Sequence, residues 1–320
     1  MATAFGSQFS ALRGRRRERW SDLSPMRKRE AKFGFLFIAP WFIGVLLFAL
    51  FPFIASFVLS FTKYNIVAPP EWVGIEHYEH IFTDDPLFLK SLKNTAVYVG
   101  GSVAIRILLG FGLALLLNTK VRFLGLWRTL FYVPSVVPIV ALSIVWLYVL
   151  NARAGLLNWF LGFFGISRIR WFADPDFAML AFLIMSTTWV GVTMVIFLAG
   201  LQGIPEEYYD AAKIDGANMA QRLWRVTIPL MTPTIYLNVL INIIGAFQVF
   251  TQVFIMTGGA PRDATRTYVL HLFDHAFQYL PPQMGYSSAL AWILFMIIFA
   301  FTAVIVASSQ RWVFYQGAED

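Results

Sequence analysis

The sequence predicts an all-α membrane protein, a polytopic bundle of six transmembrane helices. Of its 320 residues, 58% are hydrophobic and only 13% are charged, whereas soluble domains carry about 25% charged residues. The apolar residues form six runs of about 20 residues, the length at which a helix crosses the hydrocarbon core. Runs of this length exclude an outer-membrane barrel, whose strands alternate in polarity. The chain has no cysteine, which excludes disulfides and thiol chemistry.

The six predicted spans are residues 33–61, 95–117, 130–150, 177–201, 235–256 and 289–307. They divide the chain into a basic segment, a membrane domain and a tail, which are residues 1–32, 33–307 and 308–320. The first span would be about 44 Å long as a helix, against a hydrocarbon core of about 30 Å. We therefore expect a retained anchor that tilts or kinks at Pro40 or Pro52.

The basic residues predict the orientation of the bundle. Six crossings place both termini on one side, and sixteen of the 25 Lys and Arg residues lie on that side. The positive-inside rule therefore predicts that both termini lie in the cytoplasm. Nine of these residues precede residue 33, where we expect contact with anionic lipid rather than with nucleic acid.

Ionisable residues are scarce inside the predicted spans. No span contains Asp, Glu or His, so the group that a proton-coupled carrier usually keeps in its spans is missing. A nucleophile with a neighbouring base is also missing, which argues against a membrane-embedded enzyme. Arg106 is the only charge within a span, and both a functional role and a structural pairing stay open for it. His271 and His275 stand four residues apart without the Glu of a zinc-protease motif, and no metal is expected there.

The fifth predicted span carries a stripe of polar and small residues. On a continuous helix, five of these residues fall within an arc of about 120°. They are Asn238, Asn242, Gly245, Gln248 and Gln252. Carboxamides donate and accept hydrogen bonds without a charge, which suits a neutral, hydroxyl-rich solute, although hydrogen bonds between helices select the same residues. The predicted substrate pathway comprises Asn238, Asn242, Gly245, Gln248, Gln252, Gly191, Thr193 and Arg106.

The loop of residues 202–234 is predicted to lie in the cytoplasm and to contain two short helices. Pro205 followed by Glu206 and Glu207 is a helix start, and Gly216 is a natural helix end. A second helix is predicted at residues 217–226, before two prolines, Pro229 and Pro233, mark the return to the membrane.

This loop resembles the EAA loop of permease subunits of binding-protein-dependent ABC importers. It reads Asp210-Ala211-Ala212, three residues, Gly216, nine residues, and Val226-Thr-Ile-Pro229, where the family has Glu-Ala-Ala, three residues, Gly, nine residues, and Ile-x-Leu-Pro. The spacing is intact, and the three replacements are conservative. In the family this loop is the coupling helix that contacts the ATPase subunit. The residues to which we assign that contact are Glu206, Asp210, Ala211, Ala212, Asp215 and Gly216.

Other motifs look like the carbohydrate branch of that family, the subunit type of the maltose and glycerol-3-phosphate importers. They include Gly155-Leu-Leu-Asn158-Trp-Phe-Leu161 and Gly285-Tyr286 followed by Ser288-Ala289. The resemblance implies a type I ABC importer permease fold and translocation of a di- or oligosaccharide. It also implies a second, homologous permease, two ATP-binding cassette ATPase subunits and an extracytoplasmic solute-binding protein. Residues 245–248 resemble the place where the maltose subunit holds sugar.

The chain itself is not expected to be an enzyme. None of its seven lysines follows a glycine, so it has no phosphate-binding loop of the Walker type. We expect no cofactor in this chain, with ATP and Mg bound by the partner ATPase subunits. Two alternatives stay open, namely a permease for a glycerol-phosphate-type solute and a self-contained six-span channel or secondary carrier.

Overall fold

The computed structural model describes residues 24–119 and 122–314. Most of the predicted basic segment and the end of the predicted tail lie outside these residues. The described chain is helical apart from a short antiparallel sheet of β1 (Thr62–Lys63) and β2 (Glu71–Trp72), in which Thr62 pairs with Trp72. It forms two compact units, one ending at Val58 and the other starting at Leu59.

The first unit is one long helical segment. It consists of α1 (Pro25–Val45), a π-helical turn (Leu46–Leu50) and α2 (Phe51–Leu59). Ser24 caps α1, because its side chain accepts a hydrogen bond from the backbone N–H of Arg27 at 3.4 Å. The helix continues through Pro40, and the π turn comes just before Pro52, whose nitrogen has no hydrogen to donate. The irregularity expected at one of these prolines therefore lies next to Pro52.

The second unit contains the remaining helices. They are α3 (Glu76–Thr83), α4 (Pro86–Leu117), α5 (Leu124–Val136), α6 (Ile139–Val149), α7 (Leu156–Gly162), α8 (Pro175–Ser186), α9 (Val190–Gln202), α10 (Glu206–Ile214), α11 (Met219–Arg222), α12 (Ile228–Phe247), α13 (Thr251–Met256), α14 (Tyr268–Phe273) and α15 (Met284–Trp312). A 3₁₀ turn joins α8 to α9, and π-helical turns join α11 to α12 and follow α14.

The predicted membrane-spanning helices are confirmed, but two of the predicted spans are interrupted. Five helical segments are long and apolar enough to cross a membrane, and the pair α5 and α6 forms a sixth candidate that is bent by 102°. The third predicted span, residues 130–150, is therefore not a single straight helix. Val137 is extended and Pro138 is the N-cap of the next helix, because the residue before a proline is disfavoured in the helical conformation.

The fifth predicted span is also interrupted, contrary to the sequence prediction. Helix α12 ends at Phe247, and α13 begins at Thr251. The N–H groups of Gln248 and Val249 donate to carbonyls three residues back, at 3.3 Å each, which tightens and ends the helix. The carbonyl of Val249, at the break, accepts a hydrogen bond from the Thr267 hydroxyl at 3.1 Å. The break therefore has its own hydrogen-bond partner from a distant segment.

The two prolines predicted to mark the return to the membrane, Pro229 and Pro233, lie within a helix. A continuous helical segment runs from Met219 to Phe247. Pro229 lies in the first turn of α12, where a missing N–H is tolerated. Pro233 lies inside α12 and has no N–H to donate to the carbonyl of Pro229. That carbonyl instead accepts a hydrogen bond from the Thr232 hydroxyl at 2.7 Å. The helix predicted at residues 217–226 is thus the beginning of the next span.

The centre of the second unit is α4, which packs along α9 and α12. At the end nearest α10, the three helices share a buried apolar cluster that includes Ala114, Phe197 and Met231. Helix α9 also approaches α5 closely. A Cβ added to Gly191 would lie 2.2 Å from the carbonyl oxygen of Phe131, so no larger residue fits at this position.

Candidate translocation pathway and coupling surface

The break between α12 and α13 presents an open surface. Gly245 and Gln248 are both exposed, and a Cβ added to Gly245 would meet no atom within 4 Å. Leu237 and Ile241 are exposed on the preceding turns of α12. Irregular backbone at membrane depth occurs only where it is buried in protein or lines a cavity. This surface is therefore the candidate solute contact.

Two other polar residues of α12 point into the bundle. Asn242 donates through Nδ2 to the hydroxyl of Thr193 on α9 at 3.3 Å and to the carbonyl of Asn238 at 2.9 Å. Asn238 donates to the carbonyl of Thr234 at 3.2 Å. Asn238, Asn242 and Thr193 are all buried. In the described chain these groups connect α12 to α9.

Gln252 and Arg106 meet in a second buried network. Gln252 Nε2 donates to the hydroxyl of Tyr98 at 3.4 Å, and Arg106 Nη2 donates to the same hydroxyl at 3.3 Å. Arg106 Nε donates to the carbonyl of Ser186 at 3.3 Å, and the guanidinium lies 5.2 Å from the ring centroid of Trp189. Within residues 24–119 and 122–314, Arg106 forms no ion pair with a carboxylate.

The structure thus divides the predicted pathway residues into two groups. The single polar arc predicted from Asn238 to Gln252 does not exist, because α12 ends at Phe247 and Gln252 belongs to α13. Gly245 and Gln248 lie at the open surface, whereas Gly191 lies against the backbone of Phe131. The remaining positions are in the interior networks described above.

The predicted coupling helix has the bounds that the sequence indicates. Pro205 precedes α10, and Glu206 and Glu207 occupy its first turn, where acidic side chains complement the helix dipole. The helix is followed by Gly216, whose φ is +76°, a value that a residue with a Cβ adopts only at a cost. Among the other residues assigned to the ATPase contact, Asp210, Ala211 and Asp215 are exposed, and Ala212 is half-buried.

A hydrogen bond between Tyr209 and Thr227 attaches α10 to the segment that leads into α12. The hydroxyls of Tyr209 and Thr227 lie 3.1 Å apart, and Thr227 is buried just before α12. A cavity of about 580 Å³ adjoins this contact and is lined by the ends of α4 and α9, among them Leu115 and Leu201. Helix α10 is therefore linked directly to the helix that leads to the break at residues 248–250.

Apolar side chains around α10 extend the candidate contact surface. Ile214, Met219 and Trp224 are 87%, 78% and 69% exposed. Apolar groups clustered on an otherwise polar loop mark a surface for a protein partner. The EAA-type motif does not include these three residues, so the motif alone does not assign them to the contact. Their position on both sides of Gly216, within a charged segment, is the feature of the sequence that could have indicated them.

A third polar group lies at the other end of the second unit, where Asp85 caps α4. Asp85 Oδ1 accepts the N–H groups of Leu87 and Phe88 at 2.9 and 3.1 Å, and Oδ2 accepts the Tyr286 hydroxyl at 2.6 Å. His271 Nε2 lies 2.7 Å from the same Oδ2. Burial alone would raise the pKa of Asp85, but the hydrogen bond from Tyr286 and the interaction with His271 hold that pKa below its ordinary value.

Comparison with known proteins gives a consistent assignment. Residues 106–314 match the family described as "Binding-protein-dependent transport system inner membrane component". The chain is 38% identical over 291 residues to the probable ABC transporter permease protein YesP of Bacillus subtilis, covering 90% of this chain and 93% of that protein. It is 31% identical over 285 residues to the trehalose/maltose transport system permease protein MalF of Thermococcus litoralis, covering 88% and 95%.

The fold is also similar to that of a solved transporter. A chain from the crystal structure of a bacterial alginate ABC transporter, in complex with an alginate pentasaccharide-bound periplasmic protein, superposes with a TM-score of 0.76. The superposition covers 88% of this chain and 96% of that chain at 20% sequence identity. The helical bundle, the EAA-type loop and the family match agree, and the chain belongs to the inner membrane component family of binding-protein-dependent transport systems.

Proposed function

We propose that this chain is the translocating permease of an ATP-driven importer for a di- or oligosaccharide that an extracytoplasmic binding protein delivers. The trehalose/maltose permease that it resembles is named for such a sugar. The exposed amide of Gln248 and the open position at Gly245 supply a neutral polar surface and space for a sugar ring. The observation that carries the proposal is the helix break at residues 248–250, which puts this surface beside irregular backbone.

The proposed assembly contains a second, homologous permease. In this chain Leu237 and Ile241 are exposed next to Gly245, so the candidate solute surface is a face and not an enclosed cavity. A similar face on the second permease would complete the enclosure between the two chains. A site of this kind, close to the middle of the bilayer, is typical of transporters with broken helices.

The proposed energy source is a pair of separate ATPase subunits that bind ATP and Mg in the cytoplasm. They contact Glu206, Asp210, Ala211, Ala212, Asp215 and Gly216 together with the exposed apolar residues beside them. This places both termini in the cytoplasm, in agreement with the positive-inside rule. Movement of α10 passes through the contact of Tyr209 with Thr227 into the continuous segment from Met219 to Phe247 and reaches the break as a rigid-body displacement.

The test is ATPase activity of the purified assembly with sugar-loaded binding protein. We expect Gln248→Ala to reduce the stimulated activity about fivefold, because a lost hydrogen bond of about 1 kcal/mol corresponds to roughly that factor. Gln310→Ala is the matched control, since Gln310 is an exposed glutamine near the end of α15. Full stimulation in the Gln248 variant, or an equal loss in the Gln310 variant, would contradict this assignment of the solute surface.

A further inference from the structure

All four histidines of the chain lie together at the end of the second unit opposite α10. Three ring centroids surround Tyr286, those of His77, His80 and His275, at 5.8, 5.5 and 4.5 Å. The fourth ring, His271, lies 4.7 Å from that of His275. The four residues come from two segments of the chain almost 200 positions apart, so the fold gathers every imidazole into one cluster.

Three of these rings each have one nitrogen within hydrogen-bond distance of an oxygen atom. His77 Nε2 lies 3.0 Å from the carbonyl oxygen of Thr62, and His275 Nδ1 lies 2.8 Å from Oε1 of Gln283. His271 Nε2 is paired with Asp85 as described above. Because all three partners are oxygen acceptors, the paired nitrogens carry the hydrogen, and the other nitrogen of each neutral ring has a lone pair. Metal-binding histidines are typically oriented in this way by an oxygen acceptor.

His271 gives an independent indication of a ligand. Its side chain is only 1% exposed, and its Nδ1 is buried without a hydrogen-bond partner among the described residues. A buried polar atom without a partner is unfavourable and rare in folded proteins. A cation that accepts this lone pair would satisfy it.

The geometry points to a metal site. One ligand atom each from Asp85, His271 and His275 lies within 4.8 Å of the other two. A tetrahedral zinc ion with bonds of about 2.0–2.2 Å holds its ligand atoms about 3.3–3.6 Å apart, which lies within this limit. We propose that His271 Nδ1 and His275 Nε2 bind a divalent transition-metal ion of the zinc class, while Asp85 orients His271 through its contact with Nε2. Imidazole nitrogen favours zinc, nickel or copper over magnesium and calcium, which take oxygen ligands.

The surroundings leave room for water to complete the coordination of the ion. A cavity of about 360 Å³ adjoins the cluster and is lined by His77, His80, His275 and Glu76. Asp85 caps α4 and His271 lies in α14, so an ion bound to His271 also fixes the contact between the start of one membrane-spanning helix and the segment that follows α13. The proposed site therefore stabilises the arrangement of these two elements.

The experiment measures zinc bound to the purified transporter assembly. The assembly is stripped with a chelator, equilibrated with zinc chloride, washed and analysed by elemental mass spectrometry, and its Tm is recorded with and without zinc. The variants are His271→Gln and His275→Gln, and the matched control is His80→Gln, an exposed histidine of the same cavity outside the three-residue cluster. Since His271 is fully buried, the half-buried His275 provides the variant that is expected to fold normally.

We expect the wild type and His80→Gln each to bind one more zinc ion per chain than His275→Gln. Zinc should raise the Tm of those two proteins and leave that of His275→Gln unchanged, because a ligand that binds only the folded state stabilises it. Equal zinc content in wild type and His275→Gln would overturn the proposal. So would an equal loss in His80→Gln, which would indicate adventitious binding by accessible histidines.

Discussion

Gly191 and Gly245 are both glycines of membrane helices, and their surroundings are opposite. Helix α9 can approach α5 at Gly191 only because this residue has no Cβ. A Cβ added there would lie 2.2 Å from the carbonyl oxygen of Phe131. Gly245 faces open space on α12. The first glycine is therefore required for packing, while the second is available for contact with a solute.

Substitution by alanine separates these two roles. We expect Gly191→Ala to destabilise the protein by about 1–3 kcal/mol, the usual effect of overpacking. Gly245→Ala should leave stability unchanged or raise it by up to about 1 kcal/mol, because alanine is the better helix former. Thermal unfolding of the two purified variants measures the difference. A lower Tm for Gly245→Ala than for Gly191→Ala would show that the two environments are misassigned.

Single residues also show what helical periodicity can predict. It places Asn238 and Asn242 on one face of α12, as the structure has them, since four residues are about one turn. It cannot predict that this face is covered, because Thr193, the partner of Asn242, belongs to another helix 49 positions away in the chain. Periodicity identifies a polar face but does not identify what that face contacts.

At the scale of elements, α10 and its flanking residues are encoded locally. Pro205, the two glutamates and Gly216 set the helix ends, and each acts within a single turn. The break after α12 is different, because no proline or glycine occurs at residues 248–250 and the Val249 carbonyl is satisfied by Thr267. Tertiary contacts decide this break, so a local pattern cannot predict it.

The end of α10 can be tested through the conformation of Gly216. A φ of +76° costs most residues about 1–2 kcal/mol, whereas asparagine tolerates it. We expect Gly216→Val to lower sugar-stimulated ATPase activity about 5- to 30-fold and Gly216→Asn to preserve most of it. The readout is stimulated ATPase activity of assemblies that contain equal amounts of each variant. Equal activity of the two variants would argue against a role for this left-handed residue in coupling.

For the whole molecule, composition and long apolar runs are sufficient to predict a polytopic helical bundle, since crossing a bilayer requires them. The arrangement of distant groups is not predictable in this way. Asp85 and His271 are 186 positions apart, and His271 and His275 considered alone show only a helical spacing. The packing of α4, α14 and α15 brings the histidines and Asp85 together.

We propose that this chain takes part in ATP-driven import and does not conduct solute by itself. The most direct measurement is uptake of labelled maltose or trehalose by proteoliposomes that contain the purified assembly, with ATP inside and sugar-loaded binding protein outside. We predict accumulation that requires both ATP and the binding protein and that is reduced by Gln248→Ala. Equal uptake in the absence of ATP would contradict the claim and indicate a channel or a secondary carrier.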